Sequence, residues 1–446
     1  MKAKKIISAV LTGVFFVSAA SGCSITDNGA DSLLRPPKTM GDEAEIEQLI
    51  AETAKKGYTL KYPKSGNYRS AIIMADLDGD KVDEAVAFYR EGENVTGVHM
   101  LVMYSDNDEW RLSSDRITET TDIDCVDFAD ISGSGTLEII VGYSTYTQNT
   151  NLLSCYSYSG GKTEEIKSGH KYSSFVCGDY DSDKKDEILT LSTYSAENEA
   201  QAVMLKYNDE KHSVYAKAVV AMDPNVIKFK SIVTSEIGGA KGAFVDGEVA
   251  GGELNTQIIY YSNELSLLKN PLFKEKTKSF TQRSNGIICT DVDNDSIVEF
   301  PVVQKLPHSE KEKAETVADK IIWNTFSAKD DSFAPKFSTV VNYSYGYTVK
   351  MPEKWLDGTV TAIVSEENGT TAFYEWNNKA LGAKLFEIKV FDAAEWDKGR
   401  DNDDYILIYK DNRYAYTFTV SDSDSGLSLT DDEIKRSFAI LKETAV

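Results

Sequence analysis

The sequence predicts a mainly β chain made of a repeated strand–loop–strand unit, followed by a separate C-terminal unit that mixes strands and helix. Three observations carry this. Four acidic loops share one spacing, each loop is bracketed by short apolar runs of strand length, and the pattern stops near residue 338. With 446 residues the chain suits two or three domains. It is 41% hydrophobic and 27% charged, which is globular. Its 71 acids against 48 Lys and Arg give a net charge of −23. Such a charge repels nucleic-acid phosphates, so no nucleic-acid partner is expected. The four histidines, His99, His170, His212 and His308, are scattered, and His99 and His170 read as satisfied strand or surface residues. Little is left for a His-based metal centre or a Ser/His/Asp triad, and composition leans towards binding.

Residues 1–22 read as a leader. Lys2, Lys4 and Lys5 precede an apolar run from Ile6 to Ala20, too short to span a bilayer comfortably. Ala20-Ser21-Gly22-Cys23 follows and resembles a bacterial lipobox, with Ala20 where leucine is usual. That resemblance implies cleavage before Cys23 and lipidation of its thiol, so the expected place is extracytoplasmic, anchored in the cell membrane by lipid. Residues 23–40, with Asp27, Asn28, Gly29, Asp31 and Pro36-Pro37, read as a polar tether. Residues 41–60 contain DEAEIEQLIAETAKK, where Ile46, Leu49, Ile50 and Ala54 recur at helical spacing. The other four cysteines, Cys125, Cys155, Cys177 and Cys289, sit in apolar strand-like runs with no Cys-x-x-Cys pair. They read as small buried hydrophobes rather than disulfides.

Residues 61–335 hold the repeats. The first loop runs Asp76-Leu77-Asp78-Gly79-Asp80-Lys81-Val82-Asp83-Glu84 between two apolar strands. The third reads Asp179-Tyr180-Asp181-Ser182-Asp183-Lys184-Lys185-Asp186-Glu187, and the fourth Asp291-Val292-Asp293-Asn294-Asp295-Ser296-Ile297-Val298-Glu299. In the second, Asp130 and Glu138 remain, but Ser132 and Ser134 replace two carboxylates. Between the third and fourth, Ala243 to Asp246 and Gln257 to Tyr260 look like one more unit with its acids lost. Carboxylates at positions one, three and five, a carbonyl at seven and an acid at nine can converge on one hard cation. Calcium fits best, since it accepts six to eight oxygens at about 2.3–2.6 Å in flexible geometry. Gly79 allows the sharp turn.

The motif resembles the FG-GAP, or VCBS-type, repeats of integrin-α-like β-propellers. The resemblance implies a calcium-binding β-propeller of four-stranded blades, with five units and a sixth possible from the flanks. It implies calcium sites at Asp76, Asp78, Asp80, Glu84 and the Val82 carbonyl; at Asp179, Asp181, Asp183, Glu187 and the Lys185 carbonyl; and at Asp291, Asp293, Asp295, Glu299 and the Ile297 carbonyl. The loop of Asp130 and Glu138 should be weak or empty. Asp83 and Asp186 are expected to face solvent or neighbouring backbone.

Residues 338–446 open with Gly346-Tyr347-Thr348-Val349-Lys350-Met351-Pro352-Glu353-Lys354-Trp355. Strands are expected at 360–364, 385–391, 405–409 and 414–420. Thr430 and Glu433 make a capping box for a closing helix with Ile434, Phe438 and Leu441 on one face. This unit resembles the Mog1/PsbP-type α/β sandwich of bacterial lipoproteins, which is mostly non-catalytic. Trp355 and Trp376 read as core aromatics in preference to sugar platforms.

No Gly-x-Ser-x-Gly, His-Glu-x-x-His or Walker-type loop is present. Two function classes stand: a non-catalytic binding or scaffolding lipoprotein of the cell envelope whose protein or polysaccharide ligand is unnamed, and an extracytoplasmic glycosidase or lyase with carboxylates in a central channel.

Overall fold

A computed structural model describes residues 40–441, apart from 55–56, 93–96, 108, 146–149, 197, 276, 285, 311–315, 356–357 and 400–403. Cys23, the leader and the tether lie outside the described residues. No described helix is long and apolar enough to cross a membrane.

Helix α1 (Met40–Thr53) buries Ile46 and Ile50, with Ala54 just after it, against Ala85, Ala87, Leu101 and Met103, which is the stripe the spacing predicts. The first sheet combines β1 (Tyr58–Lys61), β2 (Ile72–Ala75), β3 (Glu84–Glu91), β4 (Val98–Asp106) and β5 (Glu109–Thr118), with β1 and β2 sharing one edge of β3. The second contains β6 (Asp122–Ala129), β7 (Glu138–Ser144), β8 (Asn151–Ser159), β9 (Lys162–Ile166) and β10 (Lys171–Tyr172). The third is β11 (Ser174–Gly178), β12 (Glu187–Ser192), β13 (Gln201–Asn208) and β14 (Ser213–Ala221), and the fourth β15 (Val226–Glu236), β16 (Lys241–Val249), β17 (Leu254–Ser262) and β18 (Leu267–Lys269). Each is antiparallel, and β3, β7, β12 and β16 are buried nearly from end to end. Burial on both faces follows from stacking: separate cores join the first sheet to the second, the second to the third and the third to the fourth. These are blades laid side by side in chain order.

A fifth blade starts with the bridge between Thr290 and Glu299 and continues through β19 (Phe300–Lys305), β20 (Asp319–Ser327) and β21 (Ser332–Asn342). Phe244, Ile258 and Tyr260 of the fourth blade pack on Phe300 and Phe326 of the fifth. β21 runs across the boundary expected at 335–338. Its far end pairs with β22 (Tyr347–Lys350), so the fifth sheet reaches into the C-terminal unit.

The sixth sheet comprises β23 (Val360–Ser365), β24 (Thr370–Trp376), β25 (Leu381–Asp392), β26 (Ile406–Lys410) and β27 (Tyr414–Val420); α2 (Ala393–Trp396) is a single turn capped by Asp392. Phe373, Phe386 and Phe418 from this sheet close a core with Val340, Tyr347, Trp355 and Ile434, the last on α3 (Asp431–Ser437). Thr430 and Glu433 cap α3 reciprocally, as the sequence predicts. The helix is shorter than expected, however. Phe438 leaves it and starts β28 (Phe438–Ile440), which pairs with β22 and extends the fifth sheet. The pull of an unpaired sheet edge ends the helix one turn early.

The acid-free unit is also displaced from its expected place. Ala243 to Asp246 and Gln257 to Tyr260 lie on the second and third strands of the fourth blade. The turn that corresponds to the acidic loops is Ile237 to Ala240, which closes with Ile237 N–H on the Ala240 carbonyl. Two glycines at positive φ, Gly238 and Gly239, do there without acids what the longer loops do with them.

Candidate metal centres

Each acidic loop leads into a strand of its blade, β3, β7, β12 or β19, from the strand or bridge paired beside it, and all four adopt one backbone shape. Positions four and six are left-handed in every copy: Gly79 and Lys81, Gly133 and Gly135, Ser182 and Lys184, Asn294 and Ser296. Five of these eight are not glycine, and a left-handed non-glycine residue costs on the order of 1 kcal/mol. Something must hold the backbone there.

The acids do so. Asp76 accepts the N–H groups of Gly79 and Lys81 at 2.8 and 3.0 Å, one on each oxygen. Asp130 accepts those of Ser134 and Gly135, Asp179 those of Asp183 and Lys184, and Asp291 those of Asp295 and Ser296. At position five, Asp80, Asp183 and Asp295 accept from the position-seven residues Val82, Lys185 and Ile297, which fixes those peptides in the loop. The closing glutamates, Glu84, Glu138, Glu187 and Glu299, are buried at the head of the second strand. Each takes a backbone N–H from near the loop's start: Leu77 at 2.8 Å, Ser132 at 3.2 Å, Tyr180 at 2.9 Å and Val292 at 2.9 Å. The first job of these carboxylates is therefore to organise backbone.

The loops of neighbouring blades also clasp one another. Leu137 N–H donates to the Leu77 carbonyl. Asp186 N–H donates to the Asp130 carbonyl, and Asp130 N–H returns to Asp186 Oδ2 at 3.1 Å. Asp186 thus meets neighbouring backbone.

Ligand oxygens of Asp76, Asp78 and Glu84 lie within 4.8 Å of one another, as do those of Asp179, Asp181 and Glu187, and those of Asp291, Asp293 and Asp295. The three groups are not equivalent. Asp78 Oδ1 in the first and Asp181 Oδ1 in the third are both buried without a hydrogen-bond partner, but only in the first does no basic group among the described residues bridge to the acids, Asp76, Asp78, Asp80 and Glu84. Burial pushes Glu84 up to about 7 and raises Asp78, and the crowded aspartates push the same way. An uncompensated oxygen cluster of this kind fits a hard cation.

In the third loop Lys206 Nζ lies 2.5 Å from Asp181, 2.7 Å from Asp183 and 3.1 Å from Glu187. In the fourth, Lys336 Nζ lies 2.8 Å from Asp293, 2.6 Å from Asp295 and 2.8 Å from Glu299. Both lysines are raised by their carboxylates against the cost of burial, and Lys336 holds Asp295 below its ordinary range. Burial still pushes Glu187 up to about 7. In these two loops an ammonium thus meets the acids at positions three, five and nine, the oxygens a metal would otherwise draw together. The second loop has hydroxyls where the others have acids at positions three and five: Ser132 bonds Ser134 at 2.8 Å, and Ser134 bonds Thr136 at 2.7 Å.

The sequence brought the right acids together but missed Lys206 and Lys336, 19 and 37 residues from the glutamates they meet. It also missed a buried pair in the fourth blade. Arg283 and Asp246 are both fully enclosed and 2.8 Å apart; Asp246 also takes the Cys289 N–H and the Thr256 hydroxyl. The other cysteines of the strands are free, and burial raises all four thiols. His99 is held by Asp115 at 2.8 Å and stacked on Tyr89, and His212 meets the Tyr207 hydroxyl. The cavity where the inner edges of the first four blades meet, about 320 Å³, contains Asp127 as its lone carboxylate among the described residues.

No protein-family model matches the chain, and no curated protein matches it. Solved structures similar to it include a rhamnogalacturonan lyase from Bacillus licheniformis, 11% identical with a TM-score of 0.30, covering 82% of this chain and 90% of the lyase. The WD40 domain of Toxoplasma gondii coronin is 9% identical at a TM-score of 0.28, covering 85% and 90%. A Lactobacillus plantarum protein is 9% identical at 0.29, covering 72% and 85%. Likeness at this level leaves function to be read from the chain's own residues.

Proposed function

We propose that this chain is a membrane-tethered, extracytoplasmic lipoprotein of the FG-GAP/VCBS propeller type, a non-catalytic binding or scaffolding component of the cell envelope with calcium at the loop of Asp76. One observation carries this reading: the carboxylates that an enzyme would use recur at one topological position in four blades, with their oxygens spent on loop backbone. An active site is built once. Repeated, backbone-bound acids are fasteners, and Asp76, Asp78, Asp80 and Glu84 supply the oxygen-rich donor set that calcium takes. The tether rests on the leader and Cys23. The C-terminal unit, of Mog1/PsbP type in this reading, extends the fifth blade outward.

A groove of about 810 Å³ between the third and fourth blades, with Tyr194, Glu199, Asp223, Asn225, Phe273 and Gln282 on its walls, is the proposed seat of a protein or polysaccharide ligand. Aromatic faces beside carboxylates and amides suit hydroxyl-rich chains. Screening the purified protein against a glycan panel, by binding and by product release, tests this reading. Binding without turnover is expected; turnover lost in Glu199→Gln or Asp223→Asn would make the chain a glycosidase or lyase instead.

A further inference from the structure

Four loops of one backbone shape place different groups where a cation would sit. In the third blade the group comes from the third strand, β13. Leu205 pairs with Ile188, the residue after Glu187, so Lys206 stands beside the glutamate and its ammonium reaches three acids. In the first blade Met103 pairs with Ala85, the residue after Glu84, so Tyr104 occupies that same place and supplies no charge. In the second blade Tyr156 pairs with Ile139, which puts Ser157 there. The fifth blade reaches the same end by another route. Trp323 pairs with Phe337 and Asn324 with Pro335, so Lys336 is the extra residue of a bulge in β21, and it stretches across β20 to Asp293, Asp295 and Glu299.

Two lysines on different strands, one regular and one bulged, thus converge on the acids at positions three, five and nine. A chance surface pairing would not choose the same three acids twice. Each ammonium takes three short charge-assisted contacts, and the glutamate it meets is fully buried. The geometry points to Lys206 and Lys336 as built-in cations that replace calcium in the third and fourth loops, which confines metal binding to the loop of Asp76, Asp78, Asp80 and Glu84. This rests in part on the proposed calcium reading of the first loop, and it departs from the expectation of three metal loops. An ammonium bound to the chain needs no metal supply, so two of the blades keep their loops closed when calcium is scarce.

Calcium titration calorimetry on the whole chain, with melting followed in calcium and in chelator, tests the assignment in four proteins: wild type, Asp78→Ala, Lys206→Met and Lys336→Met. Wild type should take up one calcium and Asp78→Ala none. Each methionine variant should gain one further site and acquire a calcium-dependent melting transition that its parent loop lacked. Three calcium ions on the wild type, or methionine variants with no new site, would overturn it. Should the wild type bind none while the methionine variants each bind one, the first-loop reading fails and the lysine assignment stands. If the methionine variants do not fold even in calcium, Asp78→Ala decides: no bound calcium supports the built-in cations, and two bound ions overturn them.

Discussion

Arg283 Nη2 donates to Asp246 Oδ1 at 2.8 Å with both side chains fully enclosed, and this pair fastens the one blade whose connecting turn has no acids. Arg283 also bonds the carbonyls of Ile287 and Thr281 and the Thr256 hydroxyl. Removing one partner leaves a buried charge uncompensated, so Arg283→Met should cost about 3–5 kcal/mol. Replacing Asp246 and Arg283 together should cost clearly less than the two single changes added, which urea denaturation of the four-way cycle measures.

Trp355 is fully buried, donates its indole N–H to the Leu427 carbonyl at 2.8 Å and stacks near Phe373 and Phe386. Trp355→Ala should therefore cost about 3–5 kcal/mol while leaving any glycan affinity unchanged under folding conditions. A selective loss of glycan binding would make it the sugar platform that its burial argues against.

Thr430 accepts the Glu433 N–H at 3.3 Å and Glu433 accepts that of Thr430 at 2.8 Å. Thr430→Ala should cost about 1 kcal/mol, read as a lower denaturant midpoint at constant slope.

Asp124 is raised above the ordinary carboxylate range by burial, although the Tyr172 hydroxyl at 2.9 Å, Cys125, Ser65 and Lys64 pull the other way. For a carboxylate raised in the folded state, the stabilising share is full below its unfolded value and is lost as pH climbs through the folded one. Asp124→Asn should therefore flatten the fall in stability over that interval on the alkaline side of about pH 4, which melting curves at stepped pH reveal. An unchanged pH profile would show that Asp124 titrates normally.

How much of this was legible in the sequence follows from how local each feature is. The acidic loops, α1 and the start of α3 are written in neighbouring residues, and all form where their spacing puts them. Strands at 360–365, 406–410 and 414–420 match their expected limits within a residue and 381–392 encloses the expected 385–391, while Thr370–Trp376 completes the sheet where no strand is expected. The turn at Ile237 to Ala240 has no acids to mark it, so the apolar runs point to its unit one strand too late. Phe438 obeyed a helical spacing until the free edge of β22 claimed it. Lys206 and Lys336 were invisible for a further reason: each meets its acids only through strand pairing, and a lysine in a strand carries no mark of where its ammonium ends.

The account turns on whether the acids at Asp76, Asp78, Asp80 and Glu84 are a cation-dependent fastener. Scanning calorimetry of the wild type and Asp78→Ala in calcium, magnesium and chelator measures this most directly, since an ion that binds the folded chain raises its melting temperature by mass action. The wild type should melt higher in calcium than in chelator, with a smaller rise in magnesium, and Asp78→Ala should melt at one temperature in all three. A wild-type transition indifferent to calcium, or an Asp78→Ala variant that keeps the full calcium shift, would contradict the account.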